Sequence, residues 1–255
     1  MQTLQKRTAK KTLPVLQFKE MISTLEASKN EGKTAMIIAP TGYSKSYSID
    51  RFCMKYPDYT YRVTVSSLYK LPDIINELTE LTGVDFDYIQ GKKVSPNSMK
   101  LRVDAIVKKL ISINEMGGKP IIIFDEGENL EITVLKMLKA LYDALKDHCS
   151  IVLIGTEQLL AKLLNLRRRN RDAIPQLYSR FKLGKKLLSP IVKHRDFKPF
   201  FEQYIPNEIG LQKLLIEMCD NYRELNDALE PALYKANLQG KPLTENLFRL
   251  INNIP

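Results

Sequence analysis

Ile121-Ile122-Ile123-Phe124-Asp125-Glu126 runs four apolar side chains into two adjacent carboxylates. An apolar run without alternation suits a strand covered on both faces of a parallel sheet. The two carboxylates then fall at the carboxyl end of that strand, where open α/β sheets collect their ligands. Working outward, Thr34 to Ile38 (TAMII) and Ser150 to Ile154 (SIVLI) are short apolar runs of strand length. Thr60 to Val65 (TYRVTV) alternates and is rich in β-branched residues, a further strand. Helical spacing of apolar positions separates these runs, over 16–25, 45–55, 71–81, 98–114, 131–146 and 157–166. Strands alternating with helices predict an α/β fold with a parallel sheet and crossover connections.

Two stretches read as loops: 85–97, with Gly91 and Pro96, and the arginine-rich segment that follows Leu166. From Ser189 the strand signals stop. Residues 196–204, 208–219, 222–238 and 244–251 have helical patterns, punctuated by Pro190, Pro206 and Pro242. The expected division is a basic N-terminal arm over 1–13, an α/β domain over 14–188 and a small helical domain over 189–255. Internal repeats and low-complexity tracts are absent.

Composition bounds the function. The 255 residues are 44% hydrophobic, enough for a sizeable core. No apolar run reaches the roughly 18 residues that span a bilayer, and the basic start lacks a signal-peptide hydrophobic stretch. A soluble cytoplasmic protein of prokaryotic or mobile-element origin is expected. Cys53, Cys149 and Cys219 are too far apart for a CxxC pair and too few for a disulfide framework. They read as buried apolar residues. With only His148 and His194, zinc sites and histidine triads have little to work with. The net charge of +10 favours a polyanionic partner, nucleic acid first. Basic residues also cluster, at Lys6-Arg7, Lys10-Lys11, Lys92-Lys93, Arg167-Arg168-Arg169 and Lys185-Lys186.

Between the first strand and the next helix lies Ala39-Pro40-Thr41-Gly42-Tyr43-Ser44-Lys45-Ser46. The phosphate-loop pattern G-x-x-x-x-G-K-[S/T] occurs in that context. Backbone N–H groups cradle phosphates there, the lysine reaches the β- and γ-phosphates, and the hydroxyl ligates Mg²⁺. Lys45 and Ser46 are in place. Ala39 and Ser44 replace the two glycines. Alanine is a small change where φ is negative, whereas a Cβ at position 44 disfavours the geometry that glycine permits. ATP and Mg²⁺ are the expected ligands, with contacts from Ala39 through Tyr47. Asp125 would hold the Mg²⁺ shell through water, and Glu126 would orient or deprotonate the attacking water. An acidic helix N-terminus is the other reading of that pair. Thr156, in Ile151 to Thr156 (IVLIGT), would bond the attacking water or the γ-phosphate, or simply end a strand. Arg180, in Ser179-Arg180-Phe181, would stabilise developing charge in cis or from a neighbour, or lie on the surface. Arg223 opens a helix and would reach back to the phosphates, or pair with acidic neighbours.

These pieces in this order resemble the AAA+ ATPases. Within them, IIIFDEGENL, IVLIGTEQLL and QLYSRF look most like the DNA-transposition regulators of the MuB, TniB and TnsC type. The resemblance covers about residues 15–240. It implies a five-stranded parallel sheet with a small helical lid. It also implies Walker A at 39–46, Walker B at 121–126, a sensor at Thr156, an arginine finger at Arg180 and a second sensor at Arg223. ATP would lie between subunits of a head-to-tail filament or ring on duplex DNA, which recruits a transposase and disassembles on slow, partner-stimulated hydrolysis. DNA-facing loops in that family correspond to 66–70 and 91–95, which singles out Lys70, Lys92 and Lys93, with Lys100 and Arg102 next. A helicase loader of the DnaC or IstB type would share fold and site. A nucleotide-binding interaction module with a degenerate phosphate loop would account for the missing glycines.

Overall fold

The computed structural model describes residues 13, 15–84, 98–170 and 173–254. The elements run α1 (Leu16–Glu31), β1 (Ala35–Ile38), α2 (Lys45–Lys55), β2 (Thr60–Thr64), α3 (Leu71–Thr82), α4 (Met99–Glu115) and β3 (Ile121–Asp125). A 3₁₀ turn (Gly127–Asn129) leads to α5 (Ile132–Leu145), β4 (Ser150–Gly155), α6 (Glu157–Arg168), α7 (Ile174–Lys182) and β5 (Lys185–Leu187). Five further helices follow: α8 (Lys193–Asp196), α9 (Lys198–Tyr204), α10 (Ile209–Met218), α11 (Tyr222–Leu238) and α12 (Glu245–Asn252).

The chain forms two compact units. One is Glu20–Leu188; the other joins the described residues up to Lys19 with those from Ser189 onward. The larger unit holds a five-stranded sheet in the order β2-β3-β4-β1-β5, parallel throughout. Every residue of β1, β3 and β4 is buried, which is why these strands are continuous apolar runs. One sheet face packs Met36, Ile122, Phe124, Ile151 and Leu153 against α3 to α7. The other packs Ile37, Ile121, Ile123, Val152 and Ile154 against Met21 and Leu25 of α1 and Ile49 and Phe52 of α2.

Register sets the sheet's upper edge. Ile38 pairs with Gly155 and Thr64 with Asp125, so the tips of β1, β3 and β4 end side by side. Lys29 ties the opposite edge, donating to the carbonyls of Asp58 and Lys119 at 3.0 and 2.7 Å.

The arginine-rich segment after Leu166 is not the long loop expected. Its second half is α7, whose Ile174, Leu177, Tyr178 and Phe181 are buried at helical spacing, and β5 follows as the edge strand beside β1. The helical unit has its own core, in which Phe197, Phe200 and Tyr222 cluster with Leu211, Leu225 and Phe248. Tyr222 donates to Gln17 Oε1 at 2.6 Å. Cys149 and Cys219 are buried, and Cys53 is half-buried. Burial pushes the Cys149 thiol up to about 12 and that of Cys219 to about 11. Among the described residues no helix is long and apolar enough to cross a membrane.

Gly184 precedes β5 where the backbones crowd: a Cβ there would lie 2.2 Å from the Thr34 carbonyl oxygen. Replacing Gly184 by Ala therefore pushes β5 off β1. Chemical denaturation should show a loss of about 1–3 kcal/mol, the scale of an overpacked site.

Candidate functional site

The loop after β1 takes its shape from three backbone positions. Ala39 continues the strand, donating its N–H to the Gly155 carbonyl at 3.0 Å with its side chain fully buried. Its φ is not positive, unlike those of Gly42 (83°) and Ser44 (57°). The alanine therefore sits without strain where the pattern has its first glycine. Ser44, where the second glycine stands, is left-handed, with ψ 30°. A side chain there costs about 1–2 kcal/mol. Ser44 also caps α2 without a side-chain hydrogen bond. The first-turn amides of α2 thus lack an acceptor from their cap residue and point toward the loop, the arrangement in which helix N-termini take anions.

Lys45 opens α2 and folds back over the loop, donating to the Ala39 and Pro40 carbonyls at 2.9 and 3.0 Å. Burial pulls its pKa below the usual lysine value, opposed by the negative charges of Glu128, Glu126, Asp125 and Glu157. Pro40 is half-buried and Thr41 exposed. Tyr43 packs against the α1–α2 core, and Arg51 lies over the Tyr47 ring at 5.1 Å.

Asp125 ends β3 fully buried. Its Oδ1 accepts the Glu126 N–H at 3.0 Å. Its Oδ2 lies 3.4 Å from the Ser46 hydroxyl and 2.6 Å from Arg62 Nη2. Glu126 is half-buried, with its backbone left-handed at φ 58°, a strained conformation of the kind that gathers at functional sites. Beyond it, Glu128 accepts the Thr156 N–H at 3.2 Å. Thr156 uses its hydroxyl as the N-cap of α6, accepting from Gln158 N–H at 3.3 Å. Gly155 permits this closeness: a Cβ there would lie 2.6 Å from Glu128 Oε2 and 2.9 Å from Leu159 Cδ2.

Lys45, Ser46, Asp125, Glu126 and Thr156 thus stand together at one edge of the sheet. Arg180 does not. It sits on α7, where its backbone carbonyl accepts the Thr34 hydroxyl at 3.1 Å. Its guanidinium is 3.7 Å from Asp143 and over the Tyr142 ring at 5.5 Å. Thr34 precedes β1 and the loop follows it, so roughly 17 Å of strand separates the two. Arg223 is exposed in the first turn of α11 in the helical unit, its N–H bonded to Asn221 Oδ1 at 3.0 Å.

The basic residues singled out for nucleic acid scatter. Lys92 and Lys93 lie outside the described residues. Lys70, exposed at the start of α3, pairs with Glu131. Lys100 is exposed on α4, whereas Arg102 is half-buried and bonds Asn76 of α3. The flank of α3 is a groove of about 600 Å³ lined by Asp73, Glu77 and Glu80, a surface that repels phosphates.

Sequence reasoning missed Arg62, Asp50 and Glu128. A charged residue on the α2-facing side of an alternating strand was the available signal for Arg62, and the third acid of DEGE for Glu128. The donors nevertheless suit Mg²⁺-ATP: an exposed hydroxyl (Ser46), a buried carboxylate beside it, a lysine and uncapped amides. Among the described residues no group of three or more acidic, histidine or cysteine side chains is placed to hold a metal ion.

A parallel sheet with β1 between β4 and β5, a loop over a helix N-terminus and acids at the β3 tip define the AAA+ type of phosphate-loop fold. The AAA domain model matches residues 29–163, just over half of the chain, and the protein belongs to that family. Solved structures share the fold. Cdc6p from Pyrobaculum aerophilum is 15% identical with a TM-score of 0.66, over 91% of this chain and 64% of that one. The Aeropyrum pernix Orc1 protein, solved in complex with DNA, is 16% identical with a TM-score of 0.62, over 93% and 64%. The RuvB Holliday junction branch migration motor of Thermotoga maritima is 14% identical with a TM-score of 0.54, over 91% and 66%. The chain thus spans less than two thirds of the first two proteins. Comparison with curated proteins returns no match.

Substituting Ser44 by Gly removes the left-handed strain and returns part of the gain as backbone entropy. We expect a net stabilisation of about 0.5–1 kcal/mol, read as a rise of about 1–4 °C in the thermal midpoint.

Proposed function

We propose that this protein is an ATP-dependent switch that assembles head-to-tail on duplex DNA, each ATP lying between two protomers. The observation that carries this reading is the placement of Arg180. Lys45, Ser46, Asp125 and Glu126 converge at one edge of the sheet, and Arg180 lies at the far end of β1. In this reading Arg180 serves a neighbour's site, and a heterologous contact of that kind builds rings or filaments.

The site residues divide the work. Lys45 and the α2 amides hold phosphate oxygens, with Ser46 and Asp125 on the Mg²⁺ side. Glu126 takes the proton of the attacking water, and Thr156, through its tie to Glu128, fixes the end of β4 beside it. ATP supplies a γ-phosphate whose presence or loss distinguishes two states. The net charge of +10 and the DNA complex of the similarly folded Orc1 protein support duplex DNA as partner, bound through phosphates with strong salt dependence. The finer reading, target selection and transposase recruitment, is supported by the IIIFDEGENL, IVLIGTEQLL and QLYSRF segments.

Mixing two inactive variants tests the shared site. Arg180→Ala and Glu126→Gln should each lose DNA-stimulated ATP hydrolysis. An equimolar mixture should regain up to about a quarter of wild-type turnover, because an intact Glu126 site then meets an intact Arg180 at some interfaces. A mixture as inactive as its components would overturn the shared site.

A further inference from the structure

β2 is the edge strand beside β3. Tyr61, Val63 and Val65 face the main core, which turns Thr60, Arg62 and Thr64 to the sheet face that carries α1 and α2. Arg62 pairs with Ile123 and Thr64 with Asp125, so Arg62 lies diagonally across from Asp125 on the same face, within reach of a long side chain. On α2, Ser46 and Asp50 stand four residues apart and share one face. Four polar groups therefore meet beneath the loop: Ser46, Asp50, Arg62 and Asp125.

The guanidinium bridges two acids. Nη2 lies 2.6 Å from Asp125 Oδ2, and Nη1 pairs with Asp50. Burial works against the charged arginine, but the hydrogen bond and charge of Asp125, then those of Asp50, more than offset it. The Asp125 side chain is 1% exposed and that of Asp50 55%. Asp125 therefore depends on a resident cation, whereas Asp50 can exchange its partner with water. Asp125 Oδ2 is also the oxygen nearest the Ser46 hydroxyl, at 3.4 Å. A divalent ion bound beside that hydroxyl and that carboxylate would bring a second positive charge close to the guanidinium, and the two cations would repel.

We propose that Arg62 is the resident counter-cation of Asp125, which a divalent ion must shift toward Asp50. Arg62 and Asp50 would then set the Mg²⁺ concentration at which this protein takes up ATP. Arg62 is a positioning residue here, and the proposal rests on the ATP reading of the 39–46 loop. It explains why a charged side chain sits on a strand whose partner β3 is wholly apolar up to Asp125. It also explains Asp50, which offers the guanidinium a second seat one helical turn below Ser46.

Affinity for a fluorescent ATP analogue, titrated with Mg²⁺ without turnover, tests this with wild type, Arg62→Met and Asp50→Asn. Arg62→Met should reach half-maximal binding at about three- to tenfold less Mg²⁺, and Asp50→Asn at about two- to fivefold more. Mn²⁺ bound by the nucleotide-free chain, read by electron paramagnetic resonance, should move in the same directions. A merely structural Arg62 would lower the melting temperature of its variant and leave the Mg²⁺ midpoint in place. Unshifted midpoints, or the two variants moving the same way, would overturn the proposal while wild-type ATP binding stands. A wild type that binds no analogue at any Mg²⁺ concentration would instead overturn the underlying reading, and with it the proposal. Should Arg62→Met fail to fold, the Asp50→Asn midpoint decides, since Asp50 is largely exposed.

Discussion

The three central strands are buried on both faces, and most other features follow from that. A residue inside β1, β3 or β4 has no water on either side, so a polar side chain there lacks a solvent partner. Polar chemistry is pushed to the strand tips, where the sheet ends and loops begin. Asp125 is the first residue of β3 to break the apolar run, and it remains fully buried. Its carboxylate is tolerable only because Glu126 N–H, the Ser46 hydroxyl and Arg62 converge on it. The same register that seals the sheet core aligns Asp125 with the tips of β1 and β4, so packing and site are two results of one arrangement.

Much of this was legible in the sequence. The run IIIFDE and its relatives at 34–38 and 150–154 carry the parallel sheet openly, because double-sided burial leaves no polar alternation to confuse the pattern. The α2 start also stood out, from the loop before Lys45, and the 222–238 pattern matches α11. The fifth strand did not. Lys185-Lys186-Leu187 is short and partly exposed, held by backbone pairing to β1, and backbone pairing leaves no hydrophobic signature. The α7 helix was hidden for another reason. Its apolar spacing at 174, 177, 178 and 181 follows a run of arginines and carries Pro175 in its first turn, so composition pointed to a loop.

The site was legible in outline. Lys45, Ser46, Asp125, Glu126 and Thr156 could be singled out because their spacing between strand and helix is local, and the structure brings these candidates together. Arg62 escaped because its contact with Asp125 depends on strand order: β2 neighbours β3 in space, although two helices and a long segment separate them in sequence. The two glycine replacements also separate in structure. Ala39 extends β1 without a positive φ, whereas Ser44 keeps the left-handed geometry at a cost in strain. The loop therefore holds its form despite departing from the pattern at both glycine positions.

Isothermal titration of a non-hydrolysable ATP analogue with Mg²⁺, into wild type and Lys45→Ala, tests the central claim most directly. One site per chain in wild type, weakened at least about tenfold by the loss of one charged phosphate contact, is the predicted result. Absence of binding by wild type, or equal affinity in the two proteins, would contradict it.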